Sequence, residues 1–171
     1  MTNVETRAGD VLLTTLPGSG LSSAIIRTQR RLSPDGYARY SHAAHFDCAG
    51  VLLDTLWTVQ LSYIEDYEDR PCAIYRPMCS RGPLERAVNT LRLDLGQRYP
   101  WQRLFLHLFG LADNIHWTRL VCSERVARML HLAFREDGVF DFERHYGWTP
   151  DMLDDHLRTS YEFKLLWEGI L

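Results

Sequence analysis

Two β-type runs, Tyr40–Phe46 and Val51–Gln60, flank the short turn-forming stretch Asp47-Cys-Ala-Gly50. Aromatic, Val, Leu and Thr residues around a glycine-containing break predict a β-hairpin. A hairpin is a strong constraint. Sliding its register by one residue sends every side chain to the other face of the sheet. This stretch carries His42, His45 and Asp54. An odd-numbered turn centred on Cys48, three or five residues long, places His42 directly opposite Asp54. Facing β-carbons in such a pair lie about 4.5–5.5 Å apart. A two-residue turn at Ala49-Gly50 places His45 opposite Asp54 instead. The two registers nominate different histidines. The reading favours His42, with His45, three residues on, on the opposite face. Asp54 sits inside the apolar run Val51-Leu-Leu-Asp-Thr. A buried carboxylate without a partner is costly, so Asp54 is expected to hold one imidazole nitrogen of His42. The other nitrogen is then free to serve a thiol.

The remaining elements surround this hairpin. Residues 8–16 read as a first strand ended by Pro17-Gly-Ser-Gly20, and 22–32 as a short helix. Cys72–Arg76 is a strand stopped by Pro77. Residues 83–95 form a helix with Pro83 in its first turn and Gly96 closing it. Residues 101–111 read as a helix, and so does the stretch from Cys122 to near Gly138. Thr149-Pro-Asp opens one more helix, Thr as cap and Pro as first residue. Tyr161–Trp167 is a closing strand. Strands gathered around a hairpin, with helices on both sides in sequence, predict a single α+β domain over 1–171 with a mainly antiparallel sheet.

Cys122 lies at the start of an amphipathic helix, just after the polar stretch Asp113–Thr118. Val126, Met129, Leu130 and Ala133 trace its apolar face at helical spacing. A thiol at a helix start meets unpaired backbone N–H groups and the positive end of the helix dipole. Both favour thiolate over thiol. The same N–H groups can receive the oxyanion of an attacked carbonyl. Cys79, in Met78-Cys-Ser80 between prolines, reads as loop and lacks this setting.

Composition limits the alternatives. A net charge of −3 gives no electrostatic case for nucleic-acid binding. The N-terminal residues carry no apolar signal core, and no run is long enough for a membrane span, so a cytoplasmic location is expected. None of the four cysteines makes a Cys-x-x-Cys pair, so free thiols are expected. His42-x-x-His45-x-x-Cys48 would suit zinc on a helix. In a strand His45 turns away, and no metal or cofactor is expected.

The motifs taken together resemble a known family. They are Gly9-Asp-Val-Leu-Leu13, Tyr40-Ser-His-Ala-Ala44, an acid twelve residues after His42, Gly96-x-x-Tyr99, and Val121-Cys-Ser-Glu-x-Val-Ala127. Their order is similar to that of the circularly permuted papain-like cysteine hydrolases of NlpC type. YiiX/YaeF-like amidases are the nearest branch and lecithin–retinol acyltransferase a more distant one. The resemblance implies Cys122 as nucleophile, His42 as general base and Asp54 as the residue orienting it. It implies acyl transfer through a thioester, with Tyr40 or Tyr99 as side-chain donor to the oxyanion. Asp54 departs from the Glu or His found in several relatives, and Pro100 follows Tyr99 where relatives often have Asp. Arg125 stands where relatives often have Leu, a difference of little weight on a surface helix. Glu124 reads as a first-turn acid favoured by the helix dipole. The expected substrate is a small-molecule or peptide amide, peptidoglycan peptides included. An acyltransferase, a lipid or ester hydrolase, and a catalytically silent binding module are the competing readings.

Overall fold

The computed structural model describes residues 4–16, 19–102, 104, 120–135, 138–141 and 147–171. Six strands form one antiparallel sheet in the order β4-β3-β2-β1-β5-β6. They are β1 (Val11–Thr14), β2 (His42–Cys48), β3 (Val51–Thr55), β4 (Val59–Tyr63), β5 (Pro71–Pro77) and β6 (Phe163–Ile170). Four α-helices accompany them among the described residues: α1 (Ser19–Leu32), α2 (Arg81–Arg92), α3 (Cys122–Phe134) and α4 (Pro150–Thr159). The fold is α+β with an antiparallel sheet. The expected 101–111 helix lies mostly outside the described residues, as does the Asp113–Thr118 stretch.

The short strand β1 is wholly buried because it is central and covered on both faces. Val11 and Leu13 face the main core, which α2, α3 and α4 supply with Leu84, Val88, Val126, Met129, Leu130 and Leu153. Leu12 faces a second core with Ala44, Phe46, Leu52, Ile74 and Tyr67, the last from the short 3-10 turn Ile64–Tyr67. Two-sided burial explains why the β1 sequence is continuously apolar rather than alternating. Gly9 enters β1 with φ +84, and a β-carbon there would lie 2.4 Å from a Leu84 side-chain atom. The adjoining Asp10 is fully buried and takes Nε and Nη2 of Arg76 at 2.9 and 2.7 Å. The Gly9-Asp10 motif thus joins the sheet to α2 and β5.

The run 51–60 is not one strand. It folds back at Leu56-Trp-Thr58, so β3 and β4 pair with each other. The chain at 96–99 is laced to that fold-back. Gly96 donates to the Val59 carbonyl (2.8 Å), Val59 to that of Gln97 (2.8 Å) and Tyr99 to that of Trp57 (2.9 Å). At the helix starts the sequence rules hold. Thr149 accepts the Met152 N–H at 3.2 Å with Pro150 as first helical residue. α2 begins two residues ahead of Pro83, which keeps the proline in the first turn, where its missing N–H is harmless.

The hairpin register is neither of the two expected from sequence. Its tip is the two-residue turn Ala49-Gly50, with Cys48 paired to Val51, yet His45 pairs with Leu53. A bulge at Asp47 absorbs one residue between them. Continued inward, this register sets Ala44 opposite Asp54, and His42 lies one diagonal step away on the same face. A bulge inserts one unpaired residue and re-aims the side chains beyond it. Asp47 itself leaves the ladder to bind Nε and Nη2 of Arg92 on α2.

One expectation is reversed. Helix α3 is not a surface helix, and Arg125 is 2% exposed. Its Nε donates to Thr55 Oγ1 at 3.1 Å and its Nη1 pairs with Asp94. The guanidinium ties the start of α3 to the end of β3. Replacing Arg125 with Met should lower unfolding stability by about 1–3 kcal/mol in a urea titration. That is below the full cost of breaking a buried pair, since Asp94 keeps some access to water.

Candidate functional site

The start of α3 lies over the first residue of β2. Glu124 accepts the Val121 N–H at 3.2 Å, capping the helix as expected of a first-turn acid. Ser123 Oγ donates to the Trp148 carbonyl at 2.6 Å, which fixes the first turn against the chain before α4. These contacts aim Cys122 at His42. The thiol is buried and hydrogen-bonded to the His42 ring and to the backbone N–H of Ala43. The other side of the ring is held by Asp54, with Nε2 at 2.6 Å from Oδ1. With Nε2 engaged, Nδ1 is the nitrogen left for the thiol. Residues 80 positions apart in sequence, Cys122 and His42, therefore meet as a hydrogen-bonded pair.

The electrostatics follow from this geometry. Burial alone would push the Cys122 thiol up. The charge and hydrogen bond of His42 and the Ala43 N–H outweigh it and hold the thiol below its ordinary value. Burial alone would lower His42, but Asp54 and Cys122 raise it well above the usual imidazole range. Asp54 is held low in the same way, against burial, by His42, Tyr67 and the Thr55 N–H. The favoured state is a thiolate–imidazolium pair with a carboxylate behind it.

Asp54 has more partners than the sequence revealed. The Thr55 N–H reaches Oδ1 at 2.6 Å, and the hydroxyls of Ser62 (3.4 Å) and Tyr67 reach Oδ2. The Tyr67 ring also lies nearly parallel to that of His42, with centroids 6.3 Å apart. Tyr67 belongs to a charged-looking segment, Glu65-Asp-Tyr-Glu68, and nothing local marks it as interior. Only the covering of the second sheet face brings it in.

The two tyrosines proposed as oxyanion donors part company. Tyr99 is buried with its hydroxyl hydrogen-bonded to Cys122. Burial first, and then the nearby Cys122 and Glu124, push its pKa well up, so it remains a donor. Tyr40 is not brought to the thiol. Its phenol faces Asp154, Arg39 and Arg158, and burial raises it to about 12. The reason is geometric. Tyr40 precedes β2, and its carbonyl is pinned by Gln29 Nε2 at 2.9 Å, which turns the ring into the main core.

His45 is fully buried on the face opposite His42. Neither ring nitrogen has a hydrogen-bond partner among the described residues. Burial, followed by the charge of Arg125, pushes its pKa down to about 3, so it stays neutral. The two histidines do not converge on a common ligand, and no group of three or more metal-binding side chains occurs among the described residues. Cys79 lies between β5 and α2, packed against the main core and just ahead of Ser80, the N-cap of α2. It stands nearer a helix start than its sequence suggested, yet outside the helix, whereas Cys122 is the first residue of its own. None of the four cysteines forms a disulfide. No helix among the described residues is long and apolar enough to cross a membrane.

Two clefts meet at this site. One is lined by Cys122, Val121, Ile25 and Trp148, the other by His42, Leu56, Trp57 and Trp101. Tyr99 and Leu104 belong to both. No protein-family model matches the chain, and no curated protein or solved structure matches it.

Two outcomes test the electrostatics. Alkylation of Cys122 by iodoacetamide should be nearly flat from about pH 6 to about pH 8, where an ordinary thiol gains about tenfold per pH unit. Cys72, raised to about 12 by burial, should stay unlabelled throughout, as read by peptide mass mapping. Changing Tyr67 to Phe should lower unfolding stability by about 1–3 kcal/mol in a urea titration, because the buried Asp54 carboxylate loses one of the donors that hold it ionised.

Proposed function

We propose that the protein is a cysteine-dependent amidase or peptidase working through a thioester, built on a circularly permuted papain-like domain of NlpC type. The observation that carries this reading is the buried chain Cys122–His42–Asp54, with the sulfur at the start of α3 and the imidazole on β2. The order of histidine strand before cysteine helix supports the permuted arrangement.

In this reading the Cys122 thiolate attacks the carbonyl carbon of the substrate. The negative charge that develops on oxygen rests on the Cys122 backbone N–H and the Tyr99 hydroxyl. The carbon–nitrogen bond then breaks, and the departing nitrogen takes the proton held on His42 Nδ1. Water attacks the resulting thioester while His42 removes its proton. The carboxylic acid leaves, and the thiolate–imidazolium pair is restored. Asp54 holds the ring in orientation and stabilises its charge throughout. Ser62 and Tyr67 act through Asp54 and are positioning residues.

A second reading, transfer of the acyl group to an acceptor other than water, is favoured by the apolar lining of both clefts. The two readings share every step up to the thioester.

The test is a panel of amide, ester and muropeptide substrates with Cys122→Ala as the blank. Cys122→Ala and His42→Ala should abolish turnover while near-ultraviolet circular dichroism stays unchanged. Asp54→Asn should lower kcat on the order of 10²- to 10⁴-fold. Cys79→Ala should retain wild-type turnover, and its loss in place of that of Cys122→Ala would exclude the assignment. Added amine acceptors separate the two readings, since a transferase diverts the thioester into a new amide.

A further inference from the structure

The two clefts differ in what they touch. The cleft bearing Cys122 does not include His42, and the cleft bearing His42 does not include Cys122. In thioester chemistry the acyl group stays on sulfur, and the departing group takes its proton from the imidazole. The His42 cleft is therefore the side on which a leaving group must sit. This inference rests on the reaction proposed above and extends it to the kind of group that leaves.

The wall of that cleft is aromatic. Tyr99, whose hydroxyl meets the sulfur, packs against Trp101 with ring centroids 4.8 Å apart. Trp101 in turn packs against Trp57 at 4.9 Å. Trp57 is 73% exposed, although burying a Trp side chain is strongly favourable. It is held there by backbone. The Trp57 carbonyl accepts the Tyr99 N–H, and Thr58 bridges to Arg98. Three rings thus run from the sulfur to the surface on a braced support. Apart from His42 itself, every described residue lining this cleft is uncharged, Leu16, Leu21 and Leu56 among them.

We propose that Tyr99, Trp101 and Trp57 form a leaving-group subsite for an uncharged aromatic amine, with Trp57 the residue that determines specificity. Ring faces stack on a flat aromatic group with a preference that a small alkyl amine cannot match. A leaving group carrying an ammonium finds no countercharge among the described lining residues, and one carrying a carboxylate finds only the His42 imidazolium, already paired with Cys122 and Asp54. Either loses hydration on entering. The amide is cleaved between the carbonyl carbon and the nitrogen. The acyl carbon bonds to Cys122 Sγ, and the nitrogen leaves as the free arylamine with the proton from His42.

The experiment uses the full chain carrying Cys122→Ala, so that binding is read without turnover. N-butyryl-2-naphthylamine, N-butyryl-ethylamine and N-butyryl-glycine are titrated, and Kd is measured by calorimetry. The naphthyl compound should bind about tenfold more tightly than the ethyl compound, and the glycine compound no better than the ethyl. Adding Trp57→Ala should remove the naphthyl preference and leave the ethyl compound unchanged, while Trp57→Phe should restore most of it. Equal affinities for all three compounds, a preference for glycine, or a naphthyl preference that survives Trp57→Ala would each overturn the subsite. Release of 2-naphthylamine by the protein with Cys122 intact is measured in parallel. A Trp57-dependent preference without release keeps the subsite and removes the hydrolase reading. Release with no such preference does the opposite.

Discussion

A carboxylate with no exposed surface has to be surrounded by donors, and Asp54 is the group on which the site is built. Left alone in a sheet core it would take up a proton or unfold its surroundings. The fold supplies an imidazole, a backbone N–H and two hydroxyls. Each comes from a different part of the chain: β2, the residue after Asp54, β4 and the turn after it. Satisfying one buried charge therefore fixes four pieces of backbone. The same charge makes an imidazolium favourable at His42, which in turn makes a thiolate favourable at Cys122. The chemistry proposed for the protein and the packing of its second sheet face share this one requirement.

Which histidine answers Asp54 is decided by one bulged residue. With the Ala49-Gly50 turn and an unbroken ladder, His45 would stand across from Asp54. The bulge at Asp47 slides the pairing by one and brings His42 to the face of Asp54. His45 is sent to the other face, where burial and Arg125 keep it neutral. The displaced Asp47 is held by Arg92 on α2, so a contact outside the hairpin stabilises the irregularity inside it. Register is governed by what each face is packed against, and helix–sheet packing enters that balance directly.

Arg125 shows the same coupling between distant segments. Helical spacing places it on a different side from Val126, Met129 and Leu130, and a polar side suggests solvent. The structure instead buries both sides of α3, one against the sheet and one against Thr55 and Asp94. The guanidinium thus links the strand that carries Asp54 to the helix that carries Cys122. A leucine at that position would pack, but it would not fix the angle between the two.

Local signals were enough for most of the described elements, though not for the fold-back that splits 51–60 into β3 and β4, and for nominating Cys122 and Asp54. Turn chemistry marked the hairpin, Pro marked the starts of α2 and α4, and a thiol at a helix start and a carboxylate in an apolar strand marked the polar chain, while α2 ends at Arg92, ahead of the Gly96 expected to close it. These properties depend on near neighbours in sequence, so the sequence by itself determined them. It also left the hairpin with two competing registers, offered Tyr40 alongside Tyr99, took Arg125 for a surface residue and gave no sign of Tyr67. Each of those depends on what lies across a gap from the residue, and pairing and burial between remote segments are set only when the sheet and its two coverings close together. Tertiary structure decided them because the free energy of a buried polar group is a property of its surroundings, which no local pattern contains.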